Sequence, residues 1–484
     1  MGHNWINGEW EQGNGKRLEI KNPATAEIEE TVFEADDLQV KKAAESAYLA
    51  FSSNSWRYNF KLRKKVLEKA ASILEEKAEK VATIESIDTG KPIKEARVDV
   101  EDVVHCLRYY AGLIPDSLSK TLKMEDGTES EIKSEPIGVC GLIVPWNFPL
   151  LLGVWKLAPA LAAGNAVVFK PSELTPMSMI EFTKALIEAG IPDGIFNFVI
   201  GGREVGQAIV ENPMVKKISF TGSVETGKRI YQRCAEDLKK VSLELGGKSP
   251  LIVWNDVDIE KTAEWAVFGA LFNQGEVCVA APRLLLHQDI YDPFKKVLLE
   301  KISQVNIGDP LKEGTEFGPL ISESHVKKVT AYIEKGLEGG ASLLYGGKVL
   351  AEKKGYFIEP AVFEEVDQSM EIVQEEIFGP VITLQSFETK EEAVELANGT
   401  NYGLAAGIFT ESSERGRWIA ERLEAGIIWI NSYHTPYVDA PWGGVKQSGI
   451  GRELGPEGLI SFTEYKHVNK SVSIDSLGWY QFKR

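Results

Sequence analysis

The sequence predicts an α/β protein: a doubly wound parallel sheet, a second α/β unit and a small β arm. Three observations lead there. The chain has 484 residues, more than one compact core holds, so at least two large domains are expected. From about residue 137, short apolar strand patterns alternate with helical ones, and the alternation restarts after Gly246-Gly247. The segment 461–472 alternates with a period of two and reads as an edge strand.

In chain order, Leu62, Val66, Ala70, Ile73, Leu74, Ala78 and Val81 recur at helical spacing and predict one amphipathic helix over 60–86. The polar stretch 129–135 alternates loosely and predicts a strand of the arm. A strand over 137–144, a helix over 150–163, a strand over 166–169 and a helix over 175–189, closed by Gly190, follow. Further strands are expected at 196–200, 217–220 and 241–245, and beyond them at 251–254, 284–286 and 427–431. The expected division is 1–118 with 137–246, then 247–460, with 119–136 and 461–484 as the arm. An edge strand that protrudes is a liability unless it pairs with another subunit, so a homodimer or homotetramer is expected.

Composition narrows the function. The chain is 43% hydrophobic and 26% charged, a globular balance that argues against long disorder. Its net charge of −17, with no Lys/Arg cluster, would repel phosphate backbones, so no nucleic-acid partner is expected. The most apolar stretch, 150–169, contains Lys156, Pro159, Gly164 and Asn165, which suits a helix and a strand rather than a membrane span. Cys106, Cys140, Cys234 and Cys278 form no CxxC pair, and the six histidines form no HExxH, so neither a metal site nor a disulfide framework is expected. The first residues lack the basic and apolar blocks of a signal peptide. With reduced thiols, that points to the cytoplasm.

Three short segments carry chemistry. Phe272-Asn-Gln-Gly-Glu-Val-Cys278 sets a thiol beside a glycine turn. Leu243-Glu244-Leu245-Gly246-Gly247 sets a carboxylate between leucines, where loss of water would raise its pKa toward neutrality. Pro145-Trp146-Asn147-Phe148-Pro149 sets an amide directly after a strand. Singly, each has a structural reading: a buried thiol, a paired glutamate, a helix N-cap. Together, on strand-to-helix turns, a thiol nucleophile, a base and an amide donor make an acyl-transfer site.

These segments resemble signature sequences of the aldehyde dehydrogenase superfamily. So do Lys170-Pro171-Ser172-Glu173, Phe220-Thr221-Gly222-Ser223, Glu375-Glu376-Ile377-Phe378-Gly379-Pro380 and Gly449-Ile450-Gly451-Arg452-Glu453, all in the family's order. The resemblance runs from about residue 5 to 475. It implies that Cys278 attacks an aldehyde, that Asn147 and the Cys278 N–H hold the oxyanion, and that Glu244 activates the water that hydrolyses a thioester. It also implies a cofactor domain, a catalytic domain and an oligomerisation arm. No GxGxxG is present; the family instead sets Gly222, Ser223, Gly227 and a helix N-terminus at the pyrophosphate. Val144, Pro145, Trp146, Leu245 and Gly246 belong to the same implied crevice. Lys170, Ser172 and Glu173 match the adenosine ribose site, and Glu376 and Phe378 match the nicotinamide site. A carboxylate at Glu173 would repel a 2′-phosphate, which favours NAD over NADP. The sequence departs from the family pattern after the cysteine, with Val279-Ala280-Ala281-Pro282.

For the substrate, Phe148, Trp155, Val279 and Trp442 match pocket positions. Ala440-Pro441-Trp442-Gly443-Gly444 resembles the betaine-aldehyde and aminoaldehyde subgroup. Aromatic faces attract a quaternary ammonium or an amine. Glu101 and Asp102 match acidic positions at that subgroup's entrance, and His434 and Tyr437 are expected to face the pocket. The alternatives are the same reaction on aliphatic or aromatic aldehydes, acyl transfer to CoA, disfavoured by Glu244, and a non-catalytic structural protein of the same fold.

Overall fold

The computed structural model describes residues 2–53, 55–114, 120–474 and 478–480. The parts of the expected domains and arm at 1, 54, 115–119, 475–477 and 481–484 lie outside the described residues.

The first sheet has a parallel centre in the order Lys240–Glu244, Val215–Thr221, Val139–Ile143, Ala166–Lys170, Phe196–Phe198. Antiparallel Asn4–Ile6 and Glu9–Glu11 extend one edge. From Val139–Ile143 the chain winds outward through Ala166–Lys170 to Phe196–Phe198. It then returns to place Val215–Thr221 on the opposite side of Val139–Ile143. That reversal opens a crevice at the carboxyl ends of these two strands, the usual ligand position in a doubly wound sheet. Segments 144–149 and 222–227 leave these ends. Helices cover both faces, so the central strands are largely buried, and Ala166–Lys170 is buried at every residue. The helix Pro149–Ala163 is likewise buried along its whole length and ends on Gly164 in the left-handed conformation (φ 96°).

The second sheet runs Ser342–Gly346, Ala361–Glu364, Val381–Phe387, Arg283–His287, Pro250–Val253, Ala405–Phe409, Ile427–Ile430, parallel except for the first pair. A separate three-stranded antiparallel sheet joins Thr463–Lys470 to Glu129–Pro136 and Lys120–Lys123. All of Thr463–Lys470 beyond Thr463 is exposed.

Two features differ from the periodicity. The expected helix 60–86 is two helices, Phe60–Glu76 and Ala78–Thr89, broken at Lys77 (φ −104°, ψ 14°). The break lets both pieces pack on Ile93–Leu113 and on Met177–Ala189. Second, Gly449–Ile450 crosses back to the first sheet and pairs with Leu243 and Glu244. This places the segment after it, including Glu453, beside Glu244. Among the described residues no helix is long and apolar enough to cross a membrane.

Candidate active site

Asn147 follows the strand Val139–Ile143 and lies on a strand-to-helix turn as expected, whereas Glu244 ends the strand Lys240–Glu244, which leads into the strand Pro250–Val253 and not into a helix. Cys278 does not lie on a strand-to-helix turn. It sits between the short turn Phe272–Gly275 and the strand Arg283–His287, a helix-to-strand connection. The reason is the second sheet, which turns its amino ends toward the carboxyl ends of the first, so the thiol is delivered from the opposite direction. Pro282 stands just before that strand, where a missing N–H costs least, and its carbonyl accepts from Thr383 N (2.8 Å).

Cys278 is partly exposed, whereas Cys106, Cys140 and Cys234 are buried. Burial, with smaller contributions from Glu244 and Glu376, pushes its thiol up to about 12. The thiol is therefore protonated at neutral pH until a base or a positive charge reaches it. Asn147 Nδ2 donates to the carbonyl of Glu276 (2.9 Å), which leaves its second amide hydrogen for another acceptor.

Glu244 is 5% exposed, and its Oε2 has no hydrogen-bond partner. Burial first, then the neighbouring Glu453, raise its pKa well above the ordinary range. Glu453 Oε1 holds the ammonium of Lys156, which also donates to Thr221 Oγ1 (2.6 Å). Sequence reasoning missed both residues. The signals were present: a lysine within an otherwise apolar helix, and a glutamate closing Gly449-Ile-Gly-Arg-Glu453.

The crevice is lined by backbone. Ser223 caps the helix Val224–Glu236, its Oγ accepting from Thr226 N (3.4 Å). Val144 N donates to Lys170 O (3.1 Å) at the strand ends, and Pro145 and Trp146 are half-buried just beyond. The glycines allow close approach. A Cβ on Gly227 would meet the Leu245 side chain at 2.5 Å, and one on Gly246 would collide with the Glu376 carboxylate. Glu376 Oε1 accepts from Gly247 N (2.9 Å), and burial raises its pKa to about 7. Phe378 adopts φ 63° and meets Trp146 edge-on at 5.3 Å. Lys170 is buried, its ammonium bonded to Pro171 O (3.0 Å) and Gly201 O (2.5 Å), with Glu173 at 3.8 Å. Ser172 Oγ accepts from Leu174 N (3.2 Å), and the Glu173 side chain, 41% exposed, faces outward.

On the other side of Cys278 lies a cavity of about 1050 Å³. Phe148, Trp155, Val279 and Trp442 all line it, as does Asp102. Glu101 does not: it is exposed and absent from the lining. On the helix Ile93–Leu113, Glu95, Asp99 and Asp102 share one face at i, i+4 and i+7, while Glu101 points about a quarter-turn away. Burial and Asp99 raise Asp102 to about 6. Phe148 is already engaged by the Lys91 ammonium, 3.8 Å from its centroid, and by Phe272 stacked at 6.1 Å. Trp155 and Trp442 meet edge-on at 5.2 Å. The backbone of Trp442 exchanges two hydrogen bonds of 2.7 Å with Glu453, which ties the aromatic wall to the buried carboxylates. His434 lines the cavity; burial lowers it to about 4, and its Nε2 lies 3.1 Å from Gly269 O. Tyr437 is 62% exposed and lies outside the lining. Leu151, Leu152, Trp265, Phe268 and Tyr433 complete much of the wall without a sequence motif. Among the described residues no cluster of His, Cys, Asp and Glu could hold a metal ion.

Comparison with known proteins bears on the family and the fold. The aldehyde dehydrogenase family profile matches residues 10–468. The chain is 43% identical to aminoaldehyde dehydrogenase 1, peroxisomal, of Pisum sativum, over 99% of this chain and 97% of that protein. It is 42% identical to betaine aldehyde dehydrogenase of Bacillus subtilis (strain 168), over 98% and 99%. A crystal structure of betaine aldehyde dehydrogenase from Staphylococcus aureus in complex with NAD+ superposes with a TM-score of 0.97 at 38% identity, covering 99% of this chain and 97% of that one.

Proposed function

Because the chain belongs to the aldehyde dehydrogenase family, we propose that it oxidises a cationic aldehyde, betaine aldehyde or an ω-aminoaldehyde, to the carboxylate through a thioester on Cys278. The observation that carries this reading is the position of Cys278. It stands where a backbone-lined crevice at a sheet switch point meets a cavity walled by Trp155 and Trp442 and by the acidic face of a helix.

The crevice fits NAD. A serine-capped helix start suits a pyrophosphate, Glu173 faces outward for ribose hydroxyls, and Glu376 and Phe378 stand beside Gly246 and Trp146 for the nicotinamide end. When bound, NAD takes the hydride from the former aldehyde carbon. The Cys278 sulfur bonds to the carbonyl carbon, the C=O π pair moves to oxygen, and the thiol proton passes to water. Asn147 Nδ2 and the Cys278 N–H donate to the oxygen that gains charge. After hydride loss, Glu244 takes a proton from water, the hydroxide attacks the thioester carbon, and the thiol is released. The unpartnered Glu244 Oε2 supports the role, since a purely structural glutamate buried this deeply would be paired.

The Trp155–Trp442 pair supports cation binding, and so does Asp102; Asp99 is already ion-paired with Lys91, and burial raises Glu95 to about 8. Phe148 also lines the cavity, but the Lys91 ammonium already sits over its ring. The exposed strand Thr463–Lys470 supports contact between copies as a homodimer or homotetramer, testable by light scattering. The four free thiols suit a reducing compartment such as the cytoplasm.

The test is NADH formation with betaine aldehyde, 4-aminobutanal, hexanal, benzaldehyde and succinic semialdehyde. The highest kcat/KM is expected for the cations. Hexanal or benzaldehyde ahead by tenfold would make the tryptophans an apolar lining. No turnover on any of them by folded, NAD-binding protein would overturn the reaction itself.

A further inference from the structure

The turn that leads to the nucleophile begins with two consecutive left-handed residues that are not glycine, Asn273 (φ 45°, ψ 46°) and Gln274 (φ 58°, ψ 20°). Side chains disfavour this conformation, so it persists only where surrounding bonds impose it. Gln274 Oε1 accepts from Gly318 N (3.1 Å). Asn273 is held at every polar group. Its N–H donates to Glu95 Oε2 (3.0 Å) on the helix Ile93–Leu113, and its carbonyl accepts from Glu276 N (2.9 Å). Its Oδ1 accepts from Gln274 Nε2 (3.4 Å).

The fourth group is the informative one. Asn273 Nδ2 donates to the backbone carbonyls of Asn147 (3.2 Å) and Glu276 (3.3 Å). The Glu276 carbonyl is the same acceptor that receives Asn147 Nδ2. One side chain therefore grips both the backbone of Asn147 and the carbonyl that orients its amide. The Asn147 amide plane turns about a broad side-chain torsion with no strong rotamer of its own, so hydrogen bonds must set its angle. Asn147 and Asn273 are each 2% exposed or less, so water does not substitute for these bonds.

We propose that Asn273 is a positioning residue that aims the amide of Asn147 at the oxyanion. It rests on Asn147 being the oxyanion donor. Asn273 touches no reacting atom; it acts by holding the donor's backbone and the donor's anchor at a fixed separation. Glu95, bonded to the Asn273 N–H, fastens this arrangement to the helix that walls the substrate cavity.

The test is a double-mutant cycle in the full-length enzyme with N147A, N273G and N147A/N273G, using the best aldehyde of the panel at saturating NAD. Glycine accepts the left-handed backbone, so N273G removes the side chain without adding backbone strain, and a single cooperative melt is the control that the variant is folded. Loss of an oxyanion donor costs about 10²- to 10³-fold in kcat, so mis-aiming it should cost about 10- to 100-fold in N273G. KM for NAD and the rate of Cys278 alkylation by iodoacetamide, which passes through no oxyanion, should stay within about twofold. The double variant should be no slower than N147A alone. Independent, multiplying losses would overturn the proposal, as would an unchanged kcat in N273G or a parallel fall in alkylation. If N273G does not fold, N273D, which tolerates the left-handed backbone but loses the Nδ2 donor, carries the same cycle. A near-wild-type kcat in N147A would overturn the oxyanion reading itself, and this proposal with it.

Discussion

The crevice and the cavity meet at Cys278 but are made from different parts of the chain. The crevice is backbone at the ends of neighbouring strands, with glycines at 222, 227 and 246 and a single capped helix start. The cavity is side chains from helices and a loop far apart in sequence: Trp155, Asp102, Phe268 and Trp442 share no segment. Backbone surfaces recognise what every such reaction has in common. Side-chain walls can change without disturbing the fold, so they set the choice of aldehyde. Substitutions on the two sides should therefore separate cleanly.

The largest effect falls where both sides meet. Glu244→Gln should lower steady-state turnover by about 10²- to 10⁴-fold while stopped-flow absorbance still shows up to one equivalent of NADH per subunit. Loss of that burst as well would mean that Glu244 also activates the thiol. On the crevice side, Gly246→Ala drives a methyl into the Glu376 carboxylate and should raise KM for NAD by about tenfold or more, without altering the ranking of aldehydes. On the cavity side, Trp155→Ala or Trp442→Ala should lower the kcat/KM ratio of betaine aldehyde to hexanal by about 5- to 30-fold, with KM for NAD unchanged. A crossed result, with Gly246→Ala re-ranking aldehydes, would break the division.

Two smaller effects sharpen it through pH. Glu453 helps to raise the Glu244 pKa, and a general base works when deprotonated. Glu453→Gln removes that negative neighbour, so the acidic limb of the kcat–pH profile should move to lower pH, by roughly one unit. A shift to higher pH would contradict the charge arrangement. Asp102, at about 6, is neutral below that pH and charged above it. The preference for cationic aldehydes should therefore grow between pH 5 and 7 and shrink by about two- to fivefold in Asp102→Asn, while Glu101→Gln leaves it unchanged.

Much of the crevice was readable because its residues follow strand ends within a few positions. Glycine or proline marks each turn, and local covalent geometry does the rest. The cavity was read less well. Glu101 and Asp102 are adjacent in sequence, yet helical phase and packing turn only Asp102 inward, and the same phase brings in Glu95 and Asp99. Phe148 is a wall residue as expected, but its ring is already engaged by Lys91 and Phe272. No motif announces such contacts, because they join residues 57 and 124 positions away from Phe148.

By itself, the sequence determined the α/β class, the segments bearing Cys278, Glu244 and Asn147, and the upward direction of the Glu244 pKa from its leucine neighbours. These depend on hydrophobic period, turn chemistry and nearest neighbours, all local quantities. Only the tertiary structure decided that Gly449–Ile450 returns to the first sheet, that Lys156 reaches Glu453 across 297 positions, and that Asn273 binds Asn147 across 126. Desolvation and hydrogen bonding act through space and depend on every group packed around a site, so they become fixed only when the two sheets are brought together.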